Sequence, residues 1–251
     1  MLNENCQIIS NEEICKDIYK MNIHSPSIVS IAYPGQFLHI RIGEQYDPLL
    51  RRTISICDLD KSNGEITLLY RILGKGTKLL SLINSGDYLN VLGPLGNGFP
   101  VFKDKRCAVV GGGIGIAPLL ELSKQLSSPD IYLGYKDEVY MVDDFYKYSR
   151  NTYVFTEDGS TGILGYPTQL LYENINNYDI VYTCGPKIMM RKVKTICEAK
   201  EVECYLSMEE HMGCGIGACL VCSCKTNFEG QYKKVCIDGP VFSCKEVNLD
   251  D

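Results

Sequence analysis

The cysteine spacing between residues 208 and 236 constrains this chain more than any other feature. Four cysteines follow the pattern C-x4-C-x2-C and then, after thirteen intervening residues, a fourth: Cys214, Cys219, Cys222 and Cys236. This is the plant-type spacing for the ligands of a [2Fe–2S] cluster. The glycines between the first three cysteines let the backbone fold closely round a ligand and take a positive φ. The spacing therefore predicts a chain that carries single electrons.

A structural zinc site, in a non-enzymatic interaction module, is the alternative. Zinc sites favour paired ligands at both ends, whereas the second half here offers Cys236 alone and the nearby histidine is His211. Cys224 stays open as a substitute ligand, because alternate residues of a strand share a face and Cys224 would point the same way as Cys222. The plant-type spacing favours Cys222 and an iron–sulfur cluster.

Composition limits the remaining classes. The 251 residues are 45% hydrophobic, enough to form cores for one large domain or two to three smaller ones. A net charge of −6 argues against a nucleic-acid partner. There is no signal-peptide pattern and no apolar stretch that would span a membrane. The 13 cysteines are then free thiols or metal ligands, and the expected location is a reducing cytoplasm.

The first hundred residues read as short strands separated by turn formers. The predicted strands cover residues 6–11, 14–21, 37–42, 54–58, 65–72 and 88–92, with one helical segment at 76–82. Pro34-Gly35, Asn63-Gly64 and Ser85-Gly86 separate them. Evenly spaced short strands predict a small antiparallel barrel.

Three short motifs in this region suit a flavin and its pyrophosphate: Arg52-Thr53-Ile54-Ser55, Leu69-Tyr70-Arg71 and Gly76-Thr77. A guanidinium suits pyrophosphate and a hydroxyl suits the flavin edge. The third motif stands where a helix would begin, a place where free N–H groups bind phosphate. For each motif alone, a basic barrel rim with an ordinary helix cap at Thr77 is the alternative. Their order, followed by the turn Gly93-Pro94-Leu95-Gly96, favours a flavin.

Strands and helices alternate in the middle hundred residues. Strands are predicted at 106–110, 130–135, 152–156 and 179–183, and helices up to 126 and at 142–148, 167–174 and 186–200. This alternation predicts a parallel sheet covered on both faces, with ligands beyond the carboxyl ends of its strands. Two of those ends carry candidate loops: the glycines Gly112, Gly113 and Gly115, and Cys184-Gly185-Pro186. The glycine loop does not fit G-x-G-x-x-G, and by itself it is equally typical of a tight turn.

Taken in order, these motifs resemble the ferredoxin–NADP reductase superfamily. The resemblance implies that Arg52 and Ser55 contact flavin and phosphate, with Thr53-Ile54 in place of the usual aromatic residue and Tyr70 as a candidate to stack on the flavin. It also implies that the glycine loop approaches a pyrophosphate, and that Cys184 and Gly185 lie where nicotinamide meets flavin. Cys184 is the expected catalytic residue, the one that acts on hydride transfer there.

Residues 209–219 and 235–242 narrow the resemblance. They are similar to the electron-transfer subunits of two-subunit, NAD-dependent dihydroorotate dehydrogenases. The implied architecture is all-β plus α/β: an antiparallel FAD-binding β-barrel (1–102), a Rossmann-like parallel α/β nucleotide domain (103–203) and a small C-terminal iron–sulfur domain (204–251).

That family also implies cofactors and a partner. The cofactors are FAD, a [2Fe–2S] cluster and NAD. The partner is an FMN-containing dihydroorotate dehydrogenase catalytic subunit, in a heterotetramer of two plus two that serves pyrimidine biosynthesis. A flavin between nicotinamide and cluster is chemically required, since it converts two-electron into one-electron transfer. The alternative is a subunit of another NAD(P)H-dependent flavin and iron–sulfur reductase, of the ferredoxin or sulfide oxidoreductase type. Residues 134–138 hold more acid than base, which predicts NADH over NADPH.

Overall fold

The computed structural model describes residues 1–43 and 47–250. Asp251, the last residue of the predicted third domain, lies outside the described residues. Within them, no helix is long and apolar enough to cross a membrane.

The first part of the chain forms a closed antiparallel barrel, as predicted, with strand order β1-β2-β5-β4-β3-β6. Its elements are β1 (Leu2–Cys15), β2 (Ile18–His24), α1 (Pro26–Ile31), β3 (Phe37–Ile40), β4 (Arg52–Asp60), β5 (Glu65–Arg71), α2 (Lys75–Leu80) and β6 (Tyr88–Leu95). Side chains alternate along each strand: Ile54, Ile56 and Leu68 fill the barrel interior, whereas Cys57 and Leu69 face outward into a second core.

The barrel contains one turn and one helix that the prediction missed, and its strands β1, β4 and β6 are longer than predicted. The predicted strand 14–21 crosses a turn, because Asp17 has a φ of 61° and separates β1 from β2. The helix α1 was not predicted. It is short, but it begins with two strong signals: the Ser25 hydroxyl accepts a hydrogen bond from the Ile28 N–H, and Pro26 stands at the first helical position.

The middle of the chain forms the predicted parallel sheet, with strand order β10-β9-β8-β7-β11-β12 over the described residues, and a short strand of the C-terminal segment follows β12. Its elements are β7 (Cys107–Gly112), a 3-10 turn (Gly113–Ile116), α3 (Ala117–Gln125), β8 (Asp130–Tyr135), α4 (Val142–Tyr146), β9 (Asn151–Thr156), β10 (Ile163–Leu164), α5 (Pro167–Asn174), a second 3-10 turn (Ile175–Asn177), β11 (Ile180–Cys184), α6 (Lys187–Ala199) and β12 (Glu203–Ser207). The strands from β7 to β12 pair in parallel.

The C-terminal segment is built into this sheet. It contains β13 (Ser223–Lys225), β14 (Tyr232–Lys234) and β15 (Val241–Ser243). β15 pairs antiparallel with β12 and covers the edge of the sheet. The predicted boundary after residue 203 therefore falls inside β12, and Cys204, Leu206 and Phe242 share one apolar core with the helices of the sheet.

The barrel packs against the other two parts through two separate outer faces. On β4 and β5, Cys57 and Leu69 belong to the same apolar core as α3, and the Glu121 carboxylate of α3 accepts a hydrogen bond from the Leu59 N–H at 3.1 Å. On β3, Phe37 packs into the core shared with the C-terminal segment. The barrel thus contacts both the nucleotide sheet and the cysteine-bearing segment.

Candidate functional site

Arg52 and the start of α2 lie against each other. A Cβ atom built on Gly76 would stand only 2.2 Å from Nε of Arg52, so the guanidinium rests on the backbone at the second residue of the helix. Only a glycine permits this approach. Two of the predicted flavin motifs, 20 or more residues apart in sequence, therefore form one cationic corner with backbone N–H groups beside it. A corner of this kind suits a pyrophosphate.

Thr77 has a local role. It is the third residue of α2, not the cap, which is Gly74. Its Oγ1 accepts hydrogen bonds from the N–H groups of Leu73 at 2.9 Å and Gly74 at 3.3 Å. The hydroxyl therefore closes the loop before the helix, and only backbone groups of this motif face outward.

The strand β4 divides its predicted site residues between two faces. Thr53 and Ser55 alternate with the inward-pointing Ile54, so they point outward, and both are partly exposed. Ile54 points into the barrel core, so only its backbone is available to a ligand. The outward face of β4 can therefore present hydroxyl groups, with no aromatic ring, to a flavin.

Tyr70 does not fit the stacking role suggested for it. Its ring lies in the barrel interior, stacks on Tyr19 with the centroids 5.6 Å apart, and its hydroxyl donates to Asn11 Oδ1 at 2.8 Å. Strand alternation explains the difference, because Tyr70 points to the same inward side of β5 as Ile66 and Leu68. Its neighbour Leu69 is buried against α3, and Arg71 alone of this motif is exposed.

Arg71 opens onto a cleft of about 280 Å³ between the barrel, the sheet and the C-terminal segment. The lining includes the glycine loop, Gly185, Lys187 and Glu209. The cleft stands at the carboxyl ends of β7 and β11, where ligands of parallel sheets bind. Glu209 is exposed to solvent at the cleft. Desolvation nevertheless raises the pKa of its carboxyl group.

A glycine is required at each of the three loop positions for a different structural reason. A Cβ atom on Gly112 would collide with Met189 and Pro186 at 2.7 and 2.9 Å, and one on Gly115 would lie 2.5 Å from the Gly185 Cα. These two glycines let the two loops pack together. Gly113 has a φ of 54° and open space where a side chain would be. A ligand pyrophosphate can therefore approach the main chain at this glycine.

Cys184 lies behind the cleft. Its side chain is 1% exposed, and the cleft is lined by its neighbour Gly185. Burial, with the nearby Glu209 carboxylate, holds the pKa of the Cys184 thiol well above its usual value, and a hydrogen bond with Ser207 opposes the shift. The thiol is neutral, and its position suits packing under a ligand more than proton transfer.

The loop after β8 was expected to select between NADH and NADPH. One of its acidic side chains, Glu138, is hydrogen-bonded to the barrel. Glu138 Oε2 accepts hydrogen bonds from Cys15 Sγ at 2.7 Å and from the Lys16 N–H at 3.4 Å, both in the barrel hairpin. Asp137 accepts from the Glu138 N–H at 2.7 Å. Asp137 therefore remains as the acid that can face a ribose.

The four spaced cysteines lie together as two pairs. The Sγ of Cys219 accepts from the Cys214 N–H at 3.3 Å, and the side chain of Cys236 interacts with that of Cys222. The Gly217 N–H donates to Cys236 Sγ at 3.1 Å, which joins the loop to the second pair. Backbone N–H groups of Ile216, Ala218 and Cys219 also donate to Cys214 Sγ.

These donors set the charge of the first ligand. Partial burial opposes ionisation, but the backbone N–H groups lower the pKa of Cys214 to about 6. In contrast, burial and the neighbouring Cys222 raise the pKa of Cys236. Metal ligation requires thiolates, and a bound metal centre would favour the thiolate form of Cys236 against this shift.

The donor set fits two irons better than one zinc. A [2Fe–2S] cluster takes two cysteines on each iron, and this suits two pairs joined by one loop. The side chain of Cys236 interacts with that of Cys222, and Cys244 interacts with Cys204, so these contacts favour Cys222 over Cys224 and Cys244 as a member of the linked set.

Two contacts fix the cysteine loop to the barrel, and neither was foreseen. A Cβ atom on Gly215 would lie 2.6 Å from Nδ1 of His39 on β3, and His39 pairs across the sheet with Thr53. Asn97 Nδ2 donates to the carbonyls of Ile237 and Asp238, both at 3.0 Å. The sequence feature that could have pointed to the second contact is the position of Asn97 directly after the Gly93–Gly96 turn. The cysteine loop thus lies one strand away from the face that carries Thr53 and Ser55.

A wider depression of about 690 Å³ lies between the barrel and α3. It contains none of the predicted site residues. Lys124 there already pairs with Asp58 and with Glu121, the latter at 2.9 Å. The depression is a polar seam between two parts of the fold, and the candidate site is the smaller cleft.

Known proteins share both the sequence and this arrangement. Residues 5–99 match the family "Oxidoreductase FAD-binding domain", and residues 209–248 match "Iron-sulfur cluster binding domain of dihydroorotate dehydrogenase B". A solved structure titled "Insights into flavin-based electron bifurcation via the NADH-dependent reduced ferredoxin-NADP oxidoreductase structure" is 32% identical, with a TM-score of 0.87 over 100% of this chain and 91% of that one. A ferredoxin reductase in carbazole 1,9a-dioxygenase, at 17% identity and a TM-score of 0.67 over 80% of this chain and 66% of that chain, shares the fold.

Curated relatives extend over nearly the whole chain. A protein of Geobacillus sp. (strain WCH70), named "Dihydroorotate dehydrogenase B (NAD(+)), electron transfer subunit", is 43% identical over 99% of this chain and 100% of its own length. The protein of the same name from Lysinibacillus sphaericus (strain C3-41) is 42% identical over 95% of this chain and 96% of its own. This chain therefore belongs to the family of electron transfer subunits of dihydroorotate dehydrogenase B (NAD(+)).

Proposed function

We propose that this chain is the oxidoreductase subunit that passes electrons between an FMN-containing dihydroorotate dehydrogenase catalytic subunit and NAD+, with FAD and a [2Fe–2S] cluster as its own cofactors. The observation that carries the proposal is the meeting of three parts at one place. The cleft joins Arg71 of the barrel, the glycine loop and Glu209, and the cysteine loop packs on His39, the cross-strand neighbour of Thr53.

The barrel residues fit FAD. The Arg52 guanidinium on Gly76 forms the cationic corner for the pyrophosphate, and Thr53, Ser55 and the Ile54 backbone offer polar groups on the outward face. Arg71 extends that polar surface into the cleft. Bound together, FAD and the cluster would supply the exchange between two-electron nicotinamide chemistry and one-electron transfer.

The sheet residues fit NAD(H). Gly113 leaves room for a pyrophosphate beside the 3-10 turn, Gly112 and Gly115 hold the loop against Gly185, and Asp137 favours the unphosphorylated ribose. The chain's own task is to position the nicotinamide in the cleft and to exclude water there. The buried, neutral Cys184 supports that surface from below.

The four cysteines Cys214, Cys219, Cys222 and Cys236 are the proposed cluster ligands, and the surface around them suits a partner subunit. Apolar side chains are exposed next to the loop: Ile216 at 48%, Leu220 at 63%, Val221 at 56% and Ile237 at 41%. Exposed apolar residues grouped on one surface mark protein interfaces. Docking here would bring the cluster next to the catalytic subunit, and two copies of each subunit would complete a heterotetramer.

We place this activity in pyrimidine biosynthesis, with electrons flowing from dihydroorotate to NAD+, in a reducing cytoplasm. All thirteen cysteines are free thiols in the structure, which supports a reducing compartment.

The test is co-purification followed by anaerobic reduction. The chain is expressed with an FMN-containing dihydroorotate dehydrogenase subunit, and flavin, iron and sulfide are quantified with the visible spectrum. We expect dihydroorotate to bleach the spectrum and NAD+ to restore it, with about two iron atoms per chain. A colourless chain that lacks flavin and iron would end the redox proposal.

One alternative has specific support. The electron-bifurcation structure is 32% identical with a TM-score of 0.87, so this chain as a subunit of another NAD(P)H-dependent flavin and iron–sulfur reductase is the second candidate. The same experiment separates the two candidates. If the holo chain reduces ferredoxin with NADPH and fails to bind or accept electrons from the dihydroorotate dehydrogenase subunit, the second candidate is correct.

A further inference from the structure

His39 is a buried histidine whose imidazole has no role in the proposed FAD or NAD(H) sites. Its side chain is 1% exposed, and neither ring nitrogen has a hydrogen-bond partner among the described residues. An imidazole carries at least one N–H donor in either protonation state. Buried polar groups are almost always paired, and leaving one unpaired is costly. The missing partner is therefore expected to be a group that binds beside this ring.

The position of the ring indicates which group that is. Nδ1 faces the Gly215 backbone, which approaches so closely that an added Cβ atom would stand 2.6 Å away. The backbone of Cys214, a proposed ligand, makes a polar contact with the ring that falls short of hydrogen-bond geometry. The ring thus reaches the cysteine loop at its first ligand.

The Arg51 backbone also makes a polar contact with the ring, again short of hydrogen-bond geometry to either nitrogen. Arg51 approaches His39, but its Nη1 donates to the His39 carbonyl at 3.1 Å and to the Asn90 carbonyl at 3.1 Å. The neighbours of His39 across the sheet are Thr53 and Leu92. Of the two ring nitrogens without a partner, Nδ1 is the one that faces the cysteine loop.

We propose that the His39 imidazole donates a hydrogen bond to a sulfur of the bound cluster or of its cysteine ligands, and so raises the reduction potential of the cluster. Reduction adds negative charge to the sulfurs, and a donor stabilises that charge. His39 is thus a positioning and tuning residue of the one-electron site. The inference rests on the proposed function, since it needs a cluster at these cysteines.

The test compares purified holo variants by potentiometric titration, with the cluster followed by electron paramagnetic resonance. His39→Phe keeps an aromatic ring and removes the donor, and His39→Gln retains a donor. Phe37→Leu is the control, because Phe37 is two residues earlier on the same outward face and is buried in the same region without a polar atom. We expect the oxidised-to-reduced ratio at fixed potential to rise at least threefold in His39→Phe, which is about 28 mV. His39→Gln should recover at least half of that shift, and Phe37→Leu should show none.

A spectroscopic readout makes the contact direct. The chain has three histidines, His24, His39 and His211, so selective ¹⁵N-histidine labelling is simple to interpret. We expect a ¹⁵N coupling to the reduced cluster in the wild type and in His211→Gln, and its loss in His39→Phe. Iron and sulfide content is measured on every variant, so that cluster loss is not read as a potential shift.

The outcomes separate the two proposals. A wild-type chain that holds no iron and sulfide defeats the proposed function itself. A wild-type chain with its cluster, but with an unchanged cluster potential and unchanged ¹⁵N coupling in His39→Phe, defeats this inference alone. A shift confined to the flavin potential also defeats it, because the donor would then serve the other cofactor. Should His39→Phe not load the cluster, His39→Gln and the ¹⁵N coupling of the wild type decide.

Discussion

Replacing Gly76 with alanine should weaken FAD binding without unfolding the barrel. The new Cβ atom would lie 2.2 Å from Nε and 2.6 Å from Cζ of Arg52, so the guanidinium must leave the start of α2. The three nearest atoms all belong to the end of that flexible side chain, so the shift itself costs little. Alanine is also the better helix former. The thermal midpoint of the apo protein should therefore stay the same or rise.

The loss of affinity follows from the bond that Arg52 would make. A hydrogen bond to a charged group contributes about 1.5–3 kcal/mol, which corresponds to a roughly 10- to 150-fold larger Kd. The assay is FAD titration of the deflavinated protein, followed by flavin fluorescence, with circular dichroism to monitor the fold.

Gly74→Ala is the matched control. Gly74 precedes the same helix, but a Cβ atom there meets no other atom within 4 Å, so its Kd for FAD should change less than about threefold. If Gly76→Ala binds FAD as tightly as the wild type while folded, Arg52 does not hold the pyrophosphate and the reasoning from the corner is wrong.

Three further predictions concern the other sites. Serine substitutions at Cys214, Cys219, Cys222 or Cys236 should each abolish the cluster, measured as iron and sulfide content, whereas Cys224→Ser and Cys244→Ser should retain it; a cluster that survives loss of Cys222 but not of Cys224 would reverse the ligand assignment. NADH should be preferred over NADPH in kcat/KM because Asp137 follows β8, and a tenfold preference for NADPH would contradict this. Cys184→Ala should slow single-turnover flavin reduction by NADH while FAD content stays unchanged, because the thiol supports the cleft floor from behind; an unchanged rate would show that this support is dispensable.

Local patterns were sufficient for the architecture. Turn residues marked the barrel strands, and the strand–helix alternation marked the parallel sheet, because both are set by neighbours in sequence. The cysteine spacing likewise reflects one loop and one hairpin. By contrast, β12 was missed because Glu203–Ser207 directly follows a long helix with no clear turn signal, and β15 because a three-residue strand has too short a pattern.

Long-range contacts could not be predicted from the same patterns. Tyr70 was a reasonable stacking candidate until its strand register placed it inside the barrel. Its neighbour Arg71 points the other way, and a one-residue difference decides between the two faces. His39 lies about 175 residues from the loop it contacts, and nothing in its own neighbourhood in the sequence marks it.

The pairing of β15 with β12 has a consequence for assembly. The segment from Met208 to Pro240, which holds all four proposed ligands, is a loop closed by these two short strands. Closing a loop of this length costs on the order of 3 kcal/mol in chain entropy, and this cost is offset by three residue pairs between the strands and by the contacts of the loop with the barrel. A cluster that ties the loop together would remove much of that cost, so iron loading and completion of the sheet become one coupled equilibrium. The amide protons of Val241–Ser243 should then exchange slowly in the loaded protein and quickly in the iron-free one, and their exchange rate would report how far maturation has proceeded.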